Sequence, residues 1–251
     1  DHPARAILEV LGETGSKALR RDLSAYGIER SDRLTGKETQ GKLLVTECGK
    51  APQLLAVKEY DTFLIPSRDV ELVVQMHKPP ALLFSVMVTE LSDVEQRILS
   101  VQALCQVRFC TAPAHHLAAG ELEELFLAVA RLFQPDFGED VTGLRRVSEM
   151  VEELESALTK KQRKQLEPLV RRYVEGAWLD FEDWHHQMHV TSLRLALLAT
   201  GDLGSVLDAL KKRDPVLIGV PLSSPQSGRE AFLESEQAVA LIRFLLDPET
   251  L

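Results

Sequence analysis

The chain has 251 residues, 45% hydrophobic and 27% charged, the balance of a soluble globular protein large enough to bury a substantial core. Its formal net charge of −9 argues against nucleic-acid binding, because the basic run Lys160, Lys161, Arg163, Lys164 is followed by Glu167 and reads as a solvated helix face. No apolar stretch reaches the ~18 residues that a membrane span needs, which argues against membrane insertion.

The chain does not open like a signal peptide, and it begins at Asp1 without methionine, as a piece of a longer chain would. Three cysteines, Cys48, Cys105 and Cys110, are odd in number and lack metal-ligand spacing, which suits a reducing, cytoplasmic compartment.

In chain order, Ala4 to about Leu23 carries Ala6, Ile7, Val10 and Leu11 at helical spacing, so a first helix is expected there. Residues 24–41 are polar and hold Gly27, Gly36 and Gly41, the composition of a loop. Lys42–Glu47, Leu54–Ile65 and Val70–Met76 are rich in Val, Leu, Ile and Thr and read as strands, with a turn at Pro66–Asp69. Lys78-Pro-Pro80 then leads into the apolar run ALLFSVMV, so a small sheet is expected within residues 42–90.

From Ser92 the pattern is helical almost to the end. Ser92 and Glu95 form a capping box, and that helix should run to about Cys110 and stop before Pro113. Glu121–Phe133 repeats Leu122, Leu125, Phe126, Val129 and Phe133 on one face. Thr142–Leu158 and Thr159–Gly176 read as two charged amphipathic helices, the second opened by a capping box of Thr159 and Gln162. A further helix should run from Asp180 as N-cap to a glycine stop at Gly201. Helices at Leu203–Lys212 and Glu230–Leu246 flank a loop, PLSSPQSG. The fold class is therefore α+β, mostly helical, with a small N-terminal sheet in a single domain spanning residues 1–251.

The segment PPALLFSVMVTELSDVEQRILSVQALCQ resembles the approach to the catalytic helix of HtpX-like and CAAX-protease-like zinc metallopeptidases. Leu91, Ser92, Asp93, Glu95 and Arg97 stand as in that family. A second segment, DWHHQMHVTSLRLALLATGD, is similar from Arg194 on to the helix that carries the third metal ligand, with Leu197, Leu198, Gly201 and Asp202 in place. The resemblance implies a zincin-like body. It also implies that Gln102 and Gln106 stand at the two metal-binding histidine positions, Ala103 at the general base and His189 at the third ligand. A looser likeness, in Gln134–Phe137 and Trp184–Asp202, is to a degenerate domain found beside tetratricopeptide repeats in delta-proteobacterial proteins.

A catalytic zinc of this class needs two imidazoles one helical turn apart, a third protein ligand and a carboxylate to take a proton from the bound water. Amide oxygens are weak zinc ligands, and alanine cannot act as a base. The reading is a pseudo-peptidase that needs no cofactor and serves as a protein-interaction or scaffolding domain for a protein partner; the bland alternative is an ordinary buried helix at 92–110.

An enzyme with a rebuilt metal site is the competing function. His185 and His189 lie four apart on one helix, with Glu182 three residues before His185, although a polar helix face is the simpler account. His115 and His116, after Pro113, read as surface or packing residues, and Cys105 and Cys110 as inert thiols. The acidic run Glu149, Glu152, Glu153, Glu155 against Lys160–Lys164 gives two helices of opposite charge, a solubility feature or a docking face. Neither a phosphate-binding glycine loop nor a serine nucleophile elbow occurs.

Overall fold

The structure is a computed structural model that describes residues 2–12, 22–50, 55–138, 144–176, 179–218, 220 and 225–247. Three strands, β1 (Asp61–Ile65), β2 (Leu72–Gln75) and β3 (Ala81–Ser85), form one sheet in the order β1-β3-β2. β1 runs parallel to β3, with Phe63 opposite Leu83, and β2 runs antiparallel to it, with Val73 opposite Leu83. All five residues of β3 are buried, as expected of a central strand covered on both faces. Side-chain alternation divides its apolar run. Ala81 and Leu83 join Phe63, Ile65 and Val73 beneath Ile28 and Tyr26, while Leu82 and Phe84 face the helical body.

The helices are α1 (Pro3–Gly12), α2 (Lys42–Lys50), α3 (Asp93–Phe109), α4 (Ala112–His116), α5 (Ala119–Arg131), α6 (Leu144–Ala157), α7 (Lys160–Val174), α8 (Phe181–Thr200), α9 (Leu203–Lys211), α10 (Pro225–Glu234) and α11 (Glu236–Leu246). The chain is thus mostly helical α+β, and no helix among the described residues is long and apolar enough to cross a membrane.

Local chemistry explains most boundaries. Ser92 Oγ accepts from Glu95 N while Glu95 Oε2 accepts from Ser92 N, closing the predicted capping box of α3. Thr159 and Gln162 do the same for α7, Asp180 caps α8, and Gly201 ends it at φ 65°.

α3 ends on Cys110, a non-glycine residue at φ 57°. A β-carbon costs about 1–2 kcal/mol in that left-handed region. Cys110→Gly should therefore raise stability by about 0.5–1 kcal/mol after glycine's extra chain entropy is subtracted, seen as a higher urea midpoint.

Five expectations need correction. Lys42–Glu47 is helix α2, not strand: Leu44, Glu47 and Cys48 are buried at helical spacing, so period 3.6 prevails over β propensity. Gly41, at φ 78°, turns the chain into α2, and a β-carbon there would come within 2.7 Å of Leu34 Cδ1. The strand expected over Leu54–Ile65 shrinks to Asp61–Ile65, since Ala56 at φ 53° breaks any extended run; Leu54 lies outside the described residues.

The first helix does not reach Leu23, because Leu23–Tyr26 is a separate 3-10 turn; residues 13–21 lie outside the described residues. Finally, Glu230–Leu246 is two helices. Ser235, fully buried, donates from Oγ to Asp214 Oδ2 at 2.7 Å and accepts from Ala238 N, which starts α11 anew. Pro225 opens α10, so the back half of the expected PLSSPQSG loop is helical.

α8 is the spine of the helical body. Its first half places Phe181 and Met188 among Phe126, Tyr173 and Trp184, in a core built by α1, α5, α6 and α7. Its second half places Leu193, Ala196 and Leu197 against Ile98, Val101 and Leu104 of α3, in the core that also covers the sheet. α3 and α8 make the most extensive contact between any two described elements.

Candidate functional site

A cavity of about 1080 Å³ opens where α3 and α8 run side by side, between the entry to β2, helix α4 and residues 210–218. α3 contributes Leu99, Gln102 and Gln106. α8 contributes Glu182, Asp183, His185, His186, His189, Ser192 and Leu193. α4 adds His115 and His116, and the chain entering β2 adds Asp69, Val70, Glu71 and Leu72. Gln102 and Gln106, one turn apart on α3, and His189 of α8 all line this cavity. Ala103 is fully buried in the core and does not line the cavity.

Histidines dominate the interior. The His189 ring meets His115 edge-on at 4.5 Å between centroids, and the His185 ring lies 4.7 Å from His189. Burial first, then the neighbouring histidines, pushes the His189 pKa down to about 4. The same causes, burial foremost, hold His115 well below the usual histidine range. Both are neutral at pH 7. His186 Nδ1 lies 3.8 Å from Glu236 Oε2, and His116 Nε2 lies 3.3 Å from the Val74 carbonyl of β2.

Three buried atoms of cavity-lining residues lack a hydrogen-bond partner: Gln106 Oε1, His115 Nε2 and Arg213 Nη2. Gln106 is 5% exposed, its Oε1 is shut off from solvent, and no hydrogen bond reaches it; the same holds for His115 Nε2. Each such group costs about 1–3 kcal/mol unless a guest supplies the missing bond. Arg213, at the rim, gives Nε to Glu71 Oε2 at 2.5 Å and Nη1 to the Ala209 carbonyl at 3.1 Å. Lys212 pairs with Glu95, the capping-box carboxylate of α3.

The cavity holds no activated nucleophile among its described side chains. Cys105 lies behind Ser192 and is pushed up to about 12 by burial, in agreement with the inert-thiol expectation for that residue, and burial pushes Cys48 up to about 12 as well. Glu182, His185 and His189, the residues of a rebuilt metal site, all line the cavity. As placed, however, no group of three or more His, Cys, Asp or Glu among the described residues is disposed to hold a metal ion.

His115 packs against His189 and His116 is exposed, the packing and surface roles expected of them, and both line the cavity. Nothing local reveals the His115–His189 contact, because the two are separated by 73 intervening positions of chain. Comparison with protein-family models, with curated proteins and with solved structures returns no match to this chain.

Proposed function

We propose that this chain is a non-catalytic protein-interaction domain on a zinc-peptidase-like scaffold, using the former active-site cleft to hold an extended segment of a partner protein. The observation that carries the reading is the convergence of Gln102 and Gln106 with His189 on one cavity, from helices some 80 residues apart in sequence. Amides in place of the two helix-borne imidazoles, and alanine in place of the base, remove the means to activate water while leaving the cleft open.

The edge of the sheet supports a peptide as the occupant. Glu71 O accepts from Ser85 N of β3, so alternation directs the backbone groups of Leu72 and Val74 to the outer edge. His116 meets the Val74 carbonyl there, whereas Leu72, which lines the cavity, offers its N–H and C=O to an incoming strand.

Two measurements test the proposal. The protein should bind fluorescein-labelled casein peptides without shortening them over a day; cleavage, or absence of binding, would overturn it. The double variant Gln102→His, Gln106→His should retain one zinc per chain after gel filtration and gain thermal stability from zinc that EDTA reverses. The unaltered chain should do neither. If the double variant takes up no more zinc than the parent, the peptidase register is wrong. If the unaltered chain already carries stoichiometric zinc, the rebuilt metal site around Glu182, His185 and His189 replaces this reading.

A further inference from the structure

We infer that the cavity is a recognition pocket for one basic side chain, a lysine ammonium or an arginine guanidinium, of the segment it holds. The inference rests on the peptide-binding reading above and adds its specificity. Five carboxylates line the cavity, Asp69, Glu71, Glu182, Asp183 and Glu236, against two cations, Lys212 and Arg213. Lys212 pairs with Glu95 and Arg213 with Glu71, while Arg213 Nη2 is left without a partner. Asp69, Glu182 and Asp183 have no ion pair among the described residues, and Glu236 reaches only His186. A surplus of unspent carboxylates around a concave site draws in cations and repels anions.

The interior points the same way on independent grounds. Gln106, 5% exposed, lines the cavity with its carbonyl oxygen unpartnered, an acceptor waiting for a donor. His115 Nε2 is equally without a partner, and as a neutral imidazole nitrogen it can accept. An ammonium brings three donors and no acceptor, and a guanidinium brings five, so either can serve both atoms and leave donors for the carboxylates at the rim. An acidic guest could serve Arg213 Nη2 but would face five carboxylates, and an apolar guest would leave all three buried atoms as they are. A metal ion would need a converged donor set, which the described residues do not present.

The test uses four fluorescein-labelled pentapeptides, acetylated and amidated at their ends, alike except for a central lysine, arginine, norleucine or glutamate. Anisotropy titrations at pH 7.5 should show the lysine and arginine peptides binding at least tenfold tighter than the norleucine and glutamate peptides. The double variant Glu182→Gln, Asp183→Asn alters two exposed positions that leave folding intact, and it should erase most of that preference. Gln106→Leu should reduce it too.

Equal binding of all four peptides would overturn the basic pocket and leave the peptide-binding reading standing. If none of the four binds while labelled casein peptides do, the basic pocket again falls alone. If casein peptides also fail, both readings fall. Displacement of the lysine peptide by one equivalent of zinc chloride would make the cavity a metal site and overturn the inference.

Discussion

Lowering the pH from 7 to 5 is expected to strip the fold of about 2 kcal/mol through His189 alone, with His115 adding to the loss. His189 has a pKa of about 4 in the folded protein against an ordinary value of 6.5. Between those values the unfolded chain binds a proton that the folded chain refuses, so stability rises with pH across the window. The contribution is complete above about pH 6.5 and disappears as the pH falls toward 4. His115 shifts in the same direction, so its contribution has the same sign. Burial is the first cause for both, and mutual repulsion sharpens it, because one charged ring in this cluster raises the cost of charging the next.

Carboxylates do not confuse this window. Glu47, Glu95 and Glu121 all sit below their ordinary value and give up their stabilisation only at still lower pH. Urea midpoints at pH 7 and pH 5 measure the effect, and the double variant His115→Gln, His189→Gln should flatten the difference. A parent protein equally stable at both values would show that the imidazoles are solvated, and the cavity would then be far more open than its geometry indicates.

The success of local patterns and the failure of one tertiary placement have a common physical root. Ser92 with Glu95, Thr159 with Gln162, Asp180 and Gly201 act within a single helical turn, so their chemistry is complete in a few adjacent letters. The segment KLLVTE is ambiguous for the opposite reason. Its β-branched and apolar residues suit a strand, and only the burial of Leu44, Glu47 and Cys48 against α3 decides for a helix. The break at Ser235 is similar, because its deciding partner, Asp214, lies 21 residues upstream.

The candidate site divides in the same way. The i,i+4 spacing of Gln102 with Gln106, and of His185 with His189, is written in each helix. The packing of those two helices against each other is not. His115, Glu71 and Arg213 enter the cavity from other parts of the chain, and neither periodicity nor motif spacing selects them.

Removing the guanidinium of Arg97 should cost about 1.5–3 kcal/mol, since Arg97 is 37% exposed and Glu47 keeps its bond from Lys50. Glu47 of α2 is 3% exposed, and its carboxylate takes Arg97 Nε at 2.7 Å and Lys50 Nζ at 2.6 Å. Burial pushes its pKa up, but the bonds from Arg97 and then Lys50 outweigh it, so Glu47 stays ionised. Arg97→Met strands that charge in a nearly closed site with a lysine that is 61% exposed and well hydrated. Lys50→Met should cost no more than about 1 kcal/mol, because an exposed cation contributes little while Arg97 remains.

The decisive comparison is the double variant Glu47→Leu, Arg97→Met. It removes both charges and should recover most of what Arg97→Met loses, since a buried pair is worth far less than the penalty of splitting it. Urea denaturation of the parent, the two single variants and the double variant completes the cycle. Additive losses would mean that Glu47 is hydrated and that the pair does not act as a unit. The pair fastens α2 to α3 one and a half turns before Gln102, with Leu44 and Cys48 packed in the same core as Ile98 and Leu104. A strong coupling energy would thus identify what holds one face of α3 against the core while Gln102 and Gln106 remain turned to the cavity.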